Sequence, residues 1–212
     1  MRSRAVTRVL LCCGLLAGPL FTTAYLLEGS TRANYSAWRH PVSSLSLGTH
    51  GWMQVANFLN SGALLVGFGI GVHRAEHSSK WTSRLIQAIG VGLIGAGAFR
   101  CDPLSGYPPG TPAVPSPPTT KGILHVVFSA LVFLGMPAVF LIDATGVKPV
   151  WSTYSKATFV AFVGTFGVAR AGFAQSARLV AFGGLFQRLA LSIGFTWLAL
   201  RAAQLLGALP RS

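Results

Sequence analysis

Long apolar stretches, separated by short polar segments, occupy most of the chain. Six of them approach the roughly 20 mostly apolar residues that an α-helix needs to cross a bilayer. They are residues 7–27, 51–72, 83–99, 122–142, 154–174 and 185–206. The strict apolar–polar alternation of a half-buried strand is absent, and in hydrocarbon the backbone has to bond to itself. The pattern therefore predicts an all-α bundle: a single domain, residues 1–212, with six transmembrane helices.

Composition supports a bilayer as the surroundings of this domain. Hydrophobic residues make up 51% of the chain and charged residues 10%, whereas a soluble domain carries about 25% charged residues. The net charge of +13 would suggest nucleic acid in a soluble protein. Here the basic residues lie mainly between the apolar runs, and this placement favours anchoring of the helix ends to anionic lipid headgroups. We expect a multi-pass protein of a bacterial plasma (inner) membrane that has the lipid bilayer, and no nucleic acid, as its partner.

The first apolar run resembles a secretory leader, because Arg2, Arg4 and Arg8 precede it. It is long enough to span and further spans follow, so we interpret it as an uncleaved first helix. With a cytoplasmic N-terminus, ten of the 17 Lys and Arg residues fall on the inner side. This excess favours cytoplasmic positions for both termini. The two long loops, residues 28–50 and 100–121, then lie outside.

Several polar residues fall on single helical faces within these runs. One set, with spacings of four, three and four, comprises His50, Gln54, Asn57 and Ser61, and a second comprises His125 and Ser129. Residues three or four apart share a helical face. Polar groups are costly in hydrocarbon, so both faces are expected to point into the bundle.

His50, Asp102 and His125 share the outer level of the predicted topology. Two imidazoles and a carboxylate are sufficient for a catalytic metal ion that keeps one position open for water. A His–Asp acid–base pair is an alternative, as is simple hydrogen bonding at helix ends. These three residues are the candidate catalytic and metal-binding residues, and a divalent metal such as zinc is the candidate cofactor.

Four arginines lie on the side where the positive-inside rule disfavours them: Arg39, Arg100, Arg170 and Arg188. Guanidinium groups bind carboxylate or phosphate in a bidentate manner. They suggest a site for an anionic lipid or small solute, to which Ser44 and Asn57 would contribute. The alternative is that each arginine extends separately to the lipid headgroups.

Further short motifs lie in or near the part of the chain that is predicted to face outward. They are His40-Pro41-Val42-Ser43-Ser44-Leu45, Gly51-Trp52, Asn57-Phe58-Leu59, Phe99-Arg100-Cys101-Asp102-Pro103 and Gly122-Ile123-Leu124-His125. Together they resemble the domain-of-unknown-function 998 family of bacterial and archaeal membrane proteins. The resemblance implies a six-helix fold and supports Asp102 with His125 as a site. It implies no activity.

Three functions compete on this evidence. The first is binding or transport of an anionic lipid or solute in an outer-facing pocket of His, Asp and Arg side chains. The second is a metal-assisted interfacial hydrolase that uses His50, Asp102 and His125. The third is a structural or accessory membrane protein without a pocket. The sequence names no substrate, and it leaves enzymatic activity and oligomeric state open.

Overall fold

Six α-helices and one short 3-10 helix form the protein in a computed structural model that describes residues 2–75, 79–145 and 148–209. The elements are α1 Arg2–Thr31, the 3-10 helix Val42–Ser46, α2 Trp52–Arg74, α3 Lys80–Ala98, α4 Thr120–Asp143, α5 Pro149–Phe173 and α6 Gly183–Ala208. No β-strand occurs within these ranges, where the single bridge joins Leu104 to Tyr107. The predicted all-α fold is confirmed.

Each predicted span coincides with one of these helices, and the boundaries differ by a few residues. Local sequence features determine where two of the helices begin. The Ser79 hydroxyl accepts from the Trp81 N–H at 3.2 Å and caps α3, and Pro149 occupies the first turn of α5, where its missing N–H costs nothing. Among the described residues, four helices are long and apolar enough to cross a membrane: α1, α2, α4 and α6.

The helices form a closed antiparallel ring. Each helix packs against its neighbour in the chain, and α1 packs against α6. Glycines allow the closest approaches: a Cβ on Gly90 would lie 2.7 Å from the Gly62 carbonyl oxygen. Small residues are the usual means of close helix packing in membranes. Gly164 and Gly167 are different, because a Cβ at either position would meet no atom within 4 Å beyond the adjoining residues of its own helix.

The two ends of the ring differ in construction. One end, here called the terminal end, carries the start of α1, the end of α6, the ends of α2 and α4 and the starts of α3 and α5. The other, here called the loop end, carries residues 32–51, 99–119 and 174–182.

A buried ion pair lies at the terminal end. The Asp143 carboxylate accepts a hydrogen bond from Arg201 Nη2 at 3.1 Å, and its Oδ2 atom lies 3.0 Å from Arg201 Nε. It also accepts from the Trp151 indole N–H at 2.8 Å and from the Thr82 hydroxyl at 3.3 Å. The side chains of the two ionic partners are 2% and 8% exposed. The network joins α3, α4, α5 and α6.

Candidate functional site

The 3-10 helix at the loop end covers the mouth of the ring. Four of its five residues are buried. Its first N–H, on Val42, donates to the Gln187 Oε1 atom of α6 at 2.9 Å. Just before it, the Trp38 carbonyl accepts from the Leu185 N–H, also at 2.9 Å. The first long loop is therefore fastened to the start of α6.

Arg188 is the main connection between that loop and the bundle. It is 8% exposed, and its Nη1 donates to the carbonyls of Ala37, His40 and Gly184 at 2.6, 3.1 and 3.0 Å. Its Nη2 donates to the Tyr35 hydroxyl. Charged donors make stronger hydrogen bonds than neutral ones. The guanidinium is thus bound by backbone carbonyls and a phenol rather than by a carboxylate.

Three rings pack beside Arg188 in edge-to-face and tilted arrangements. The Tyr107 ring centroid lies 5.3 Å from that of Tyr35 and 5.0 Å from that of His40. Burial raises the pKa of Tyr35 to about 12, although Arg188 acts in the opposite direction. Burial, then Arg39 and Arg188, lower the pKa of His40, and a hydrogen bond with the Ser105 backbone opposes them. Both rings are therefore uncharged parts of the packing near neutral pH.

The second long loop binds to the first through side chain–backbone hydrogen bonds. Arg39 Nε donates to the Ser105 carbonyl at 3.1 Å, and the Cys101 thiol donates to the Ser43 carbonyl at 3.2 Å. Burial raises the pKa of Cys101 to about 11, which keeps it a thiol. These bonds order residues 101–107 against the first loop.

Asp102 fastens the start of α4. Its carboxylate accepts from the Thr119 N–H at 2.9 Å and from the Thr119 hydroxyl at 2.6 Å. That hydroxyl oxygen in turn accepts from the Gly122 N–H at 3.0 Å and forms the N-cap of α4. A Cβ on Gly122 would lie 2.0 Å from Asp102 Oδ2, so only glycine leaves room for this carboxylate.

His125 fastens the end of α3. Its Nδ1 lies 2.9 Å from both the Ala96 and the Phe99 carbonyl oxygens. Carbonyls only accept, so Nδ1 carries the proton and satisfies carbonyls that the helix end leaves free. In the neutral ring Nε2 is then the acceptor. Nε2 has no hydrogen-bond partner among residues 2–75, 79–145 and 148–209.

A cavity of about 30 Å³ lies on the ring axis beneath the 3-10 helix, and we call it the chamber. Its polar lining residues are Ser43, His125, Ser129 and Gln187. Its apolar lining is Phe21, Val42, Phe58, Leu93, Ala96, Val132, Phe133 and Leu191. These residues come from the 3-10 helix and from every helix except α5. A cavity of this size, with several polar partners, has room for water or for the polar end of a ligand.

The three predicted metal ligands do not form a cluster. His50 is exposed in the turn before α2, where its Nδ1 lies 3.2 Å from the Thr49 hydroxyl. Asp102 and His125 lie near each other but bond to the ends of α4 and α3. No group of three His, Cys, Asp or Glu side chains within the described ranges is placed to hold a metal ion. The catalytic and metal roles gain no support from this geometry and stay predictions.

The four outer arginines do not converge either. Arg100 and Arg170 are exposed, whereas Arg39 and Arg188 bond to backbone carbonyls. The anion site that was predicted from their number thus has no common centre and stays a prediction.

Other predicted residues are inside the bundle. Ser44 is fully buried, and its hydroxyl has no partner among the residues that the structure describes. Asn57 Nδ2 donates to the Phe21 carbonyl at 3.1 Å. Gln54 and Ser61 are buried as the periodicity predicted.

Sequence reasoning missed Gln187 and the Asp143–Arg201 pair. Gln187 is adjacent to Arg188, which attracted attention by its charge. Asp143 is one of four acidic residues in the chain, and an acid that ends an apolar run was a usable signal.

One comparison with known proteins gives a match. Residues 15–204 match the model of DUF998, described as a protein of unknown function. No curated protein and no solved structure matches the chain.

Proposed function

The chain belongs to the DUF998 family, and from this premise we propose that it is a six-span protein of the cell membrane that binds a small amphipathic ligand in the chamber. In this proposal residues 1–212 form one domain, both termini are cytoplasmic, and the loop end faces outward. The observation that carries the proposal is the chamber, whose lining combines His125, two serines and Gln187 with an apolar wall.

The ring supports six spans. Four of its helices have the length and apolarity of membrane spans, and α3 and α5 lie antiparallel between them. The 19 residues of α3 rise by about 1.5 Å each, which approaches the roughly 30 Å of a hydrocarbon core. Outward-facing side chains such as Leu134 and Val160, both 68% exposed, suit contact with lipid.

A ligand site is favoured over a purely structural role by the unpaired polar atoms. Gln187 Oε1 is occupied by the Val42 N–H, yet the Nε2 amide group has no partner in the described part of the chain. His125 also lines the chamber, and its Nε2 has no partner among those residues either, so the lining of one cavity includes a donor and an acceptor without a protein partner.

The proposal is tested by comparing ligand retention in two leucine variants of α4. Ser129→Leu adds volume inside the chamber, whereas Val126→Leu changes a side chain that is 62% exposed on the same helix. We expect native mass spectrometry of gently extracted protein to show a bound small molecule in the wild type and in Val126→Leu. We expect it to be lost in Ser129→Leu.

Equal retention in all three proteins would place the ligand elsewhere. Its absence from all three would contradict the proposal. Circular dichroism and the unfolding midpoint identify any variant that has not folded. Ala96→Val, which adds methyl groups from α3, serves as a second way to fill the chamber.

A further inference from the structure

The polar groups of the chamber have complementary hydrogen-bonding roles. His125 Nε2 accepts, because Nδ1 donates to the α3 carbonyls. The Gln187 amide N–H groups donate, because Oε1 already accepts from Val42. The hydroxyls of Ser43 and Ser129 can do either. A hydroxyl group, which is both donor and acceptor, satisfies His125 and Gln187 together.

No charged side chain of the described residues lines the chamber. Arg188 follows Gln187 in sequence, but its Nη atoms are engaged by Ala37, His40, Gly184 and Tyr35. Moving an ionised group into such surroundings without a counter-charge is very costly, whereas a hydrogen-bonded neutral group is tolerated. The chamber therefore favours an uncharged headgroup over a carboxylate or phosphate.

The size of the chamber limits what enters it. A volume of about 30 Å³ has room only for a small polar group, so the rest of a ligand has to extend outward. Ser129 and Phe133 of α4 line the chamber and are also partly exposed. Leu134, beside Phe133, is 68% exposed. A hydrocarbon tail that passes Ser129 and Phe133 reaches the lipid-facing surface.

We infer that the occupant is a single-chain amphiphile with an uncharged hydroxyl headgroup, which donates to His125 Nε2 and accepts from the Gln187 amide. Its chain leaves past α4 into the outer leaflet. This inference rests on the proposed ligand-binding function and specifies the ligand's chemical class.

Three probes of equal chain length test this class: dodecanol, dodecane and dodecanoate at pH 8. The protein is reconstituted in phosphatidylcholine nanodiscs, and the unfolding midpoint is measured with and without each probe. A ligand that binds only the folded state stabilises it by mass action. At ten times its Kd, dodecanol is expected to raise the wild-type midpoint by about 3–6 °C.

The Ser129→Leu and Ala96→Val variants correct for effects of the probes on the bilayer. Both are expected to show the dodecanol shift reduced to that of the membrane alone, and Val126→Leu is expected to keep it. An equal shift with dodecane would show that the hydroxyl plays no part. A larger shift with dodecanoate would assign the chamber to anions. Either result overturns the inference.

The outcomes also separate this inference from the proposal beneath it. If no probe shifts the midpoint while mass spectrometry still shows a ligand lost in Ser129→Leu, the hydroxyl class is wrong and ligand binding stands. If neither measurement finds an occupant, both fail, and the chamber holds water alone.

Discussion

Replacement of Asp143 by alanine is expected to lower the free energy of unfolding by about 3–5 kcal/mol, because it removes one partner of a buried ion pair. Arg201 would keep its charge in surroundings where its side chain is 8% exposed. The indole N–H of Trp151 and the hydroxyl of Thr82 would lose their acceptor as well. The change is measured by equilibrium unfolding of the protein in mixed micelles.

Two further variants separate charge from packing at this position. Asp143→Asn keeps the size of the side chain and an oxygen for Trp151, so we expect a smaller loss than for alanine. Asp143→Leu combined with Arg201→Met removes both charges, and a double apolar replacement of a buried pair is often close to neutral. The double variant should recover most of the stability. If it is no more stable than Asp143→Ala, the isolated charge is not the cause of the loss.

Gly122→Ala is expected to destabilise the protein by about 1–3 kcal/mol, the usual range for overpacking. The new Cβ would lie 2.0 Å from Asp102 Oδ2 and 2.3 Å from its Cγ. The carboxylate cannot retreat without giving up the Thr119 N–H and hydroxyl, and those bonds hold the N-cap of α4.

A double-mutant cycle with Asp102→Ala isolates this contact. With the carboxylate gone, Gly122→Ala should cost little or should stabilise. Gly164→Ala of α5 is the matched control, because its Cβ would meet no atom within 4 Å and alanine is the better helix former by roughly 0.5–1 kcal/mol. An equal cost of Gly122→Ala in both backgrounds would contradict the proposed clash. Unfolding in mixed micelles gives the change in the free energy of unfolding for the two single variants, the double variant and the control.

The sequence predicted the helices well because their cause is local. An apolar run of about 20 residues carries its own signal, and the boundaries differed by a few residues, mostly where the helix extends beyond the apolar run, as at α1. It predicted the inward face of α2 for Gln54, Asn57 and Ser61. It failed for His50, because the helix begins at Trp52 and the periodicity does not extend into the turn before it.

The site was harder to predict because its side chains form hydrogen bonds with backbone groups. Asp102 and His125 bond to the Thr119 N–H and to the Ala96 and Phe99 carbonyls, and a pattern of side chains does not show such partners. Arg188 looked like an unneutralised cation, yet carbonyls of residues 37, 40 and 184 surround its Nη1 atom. Asp143 and Arg201 are 58 residues apart, and neither position indicates the other.

In the proposal the chamber faces outward because the chain crosses the membrane six times and both termini are cytoplasmic. Single-cysteine labelling of intact cells tests this topology most directly. In a chain whose three native cysteines are replaced, one cysteine is placed in turn at the exposed positions Thr49, Lys80, Val114, Lys148 and Arg178. A membrane-impermeant maleimide should label positions 49, 114 and 178 at once, and positions 80 and 148 only after permeabilisation. Labelling of position 80 in intact cells, or protection of position 114, would contradict the account.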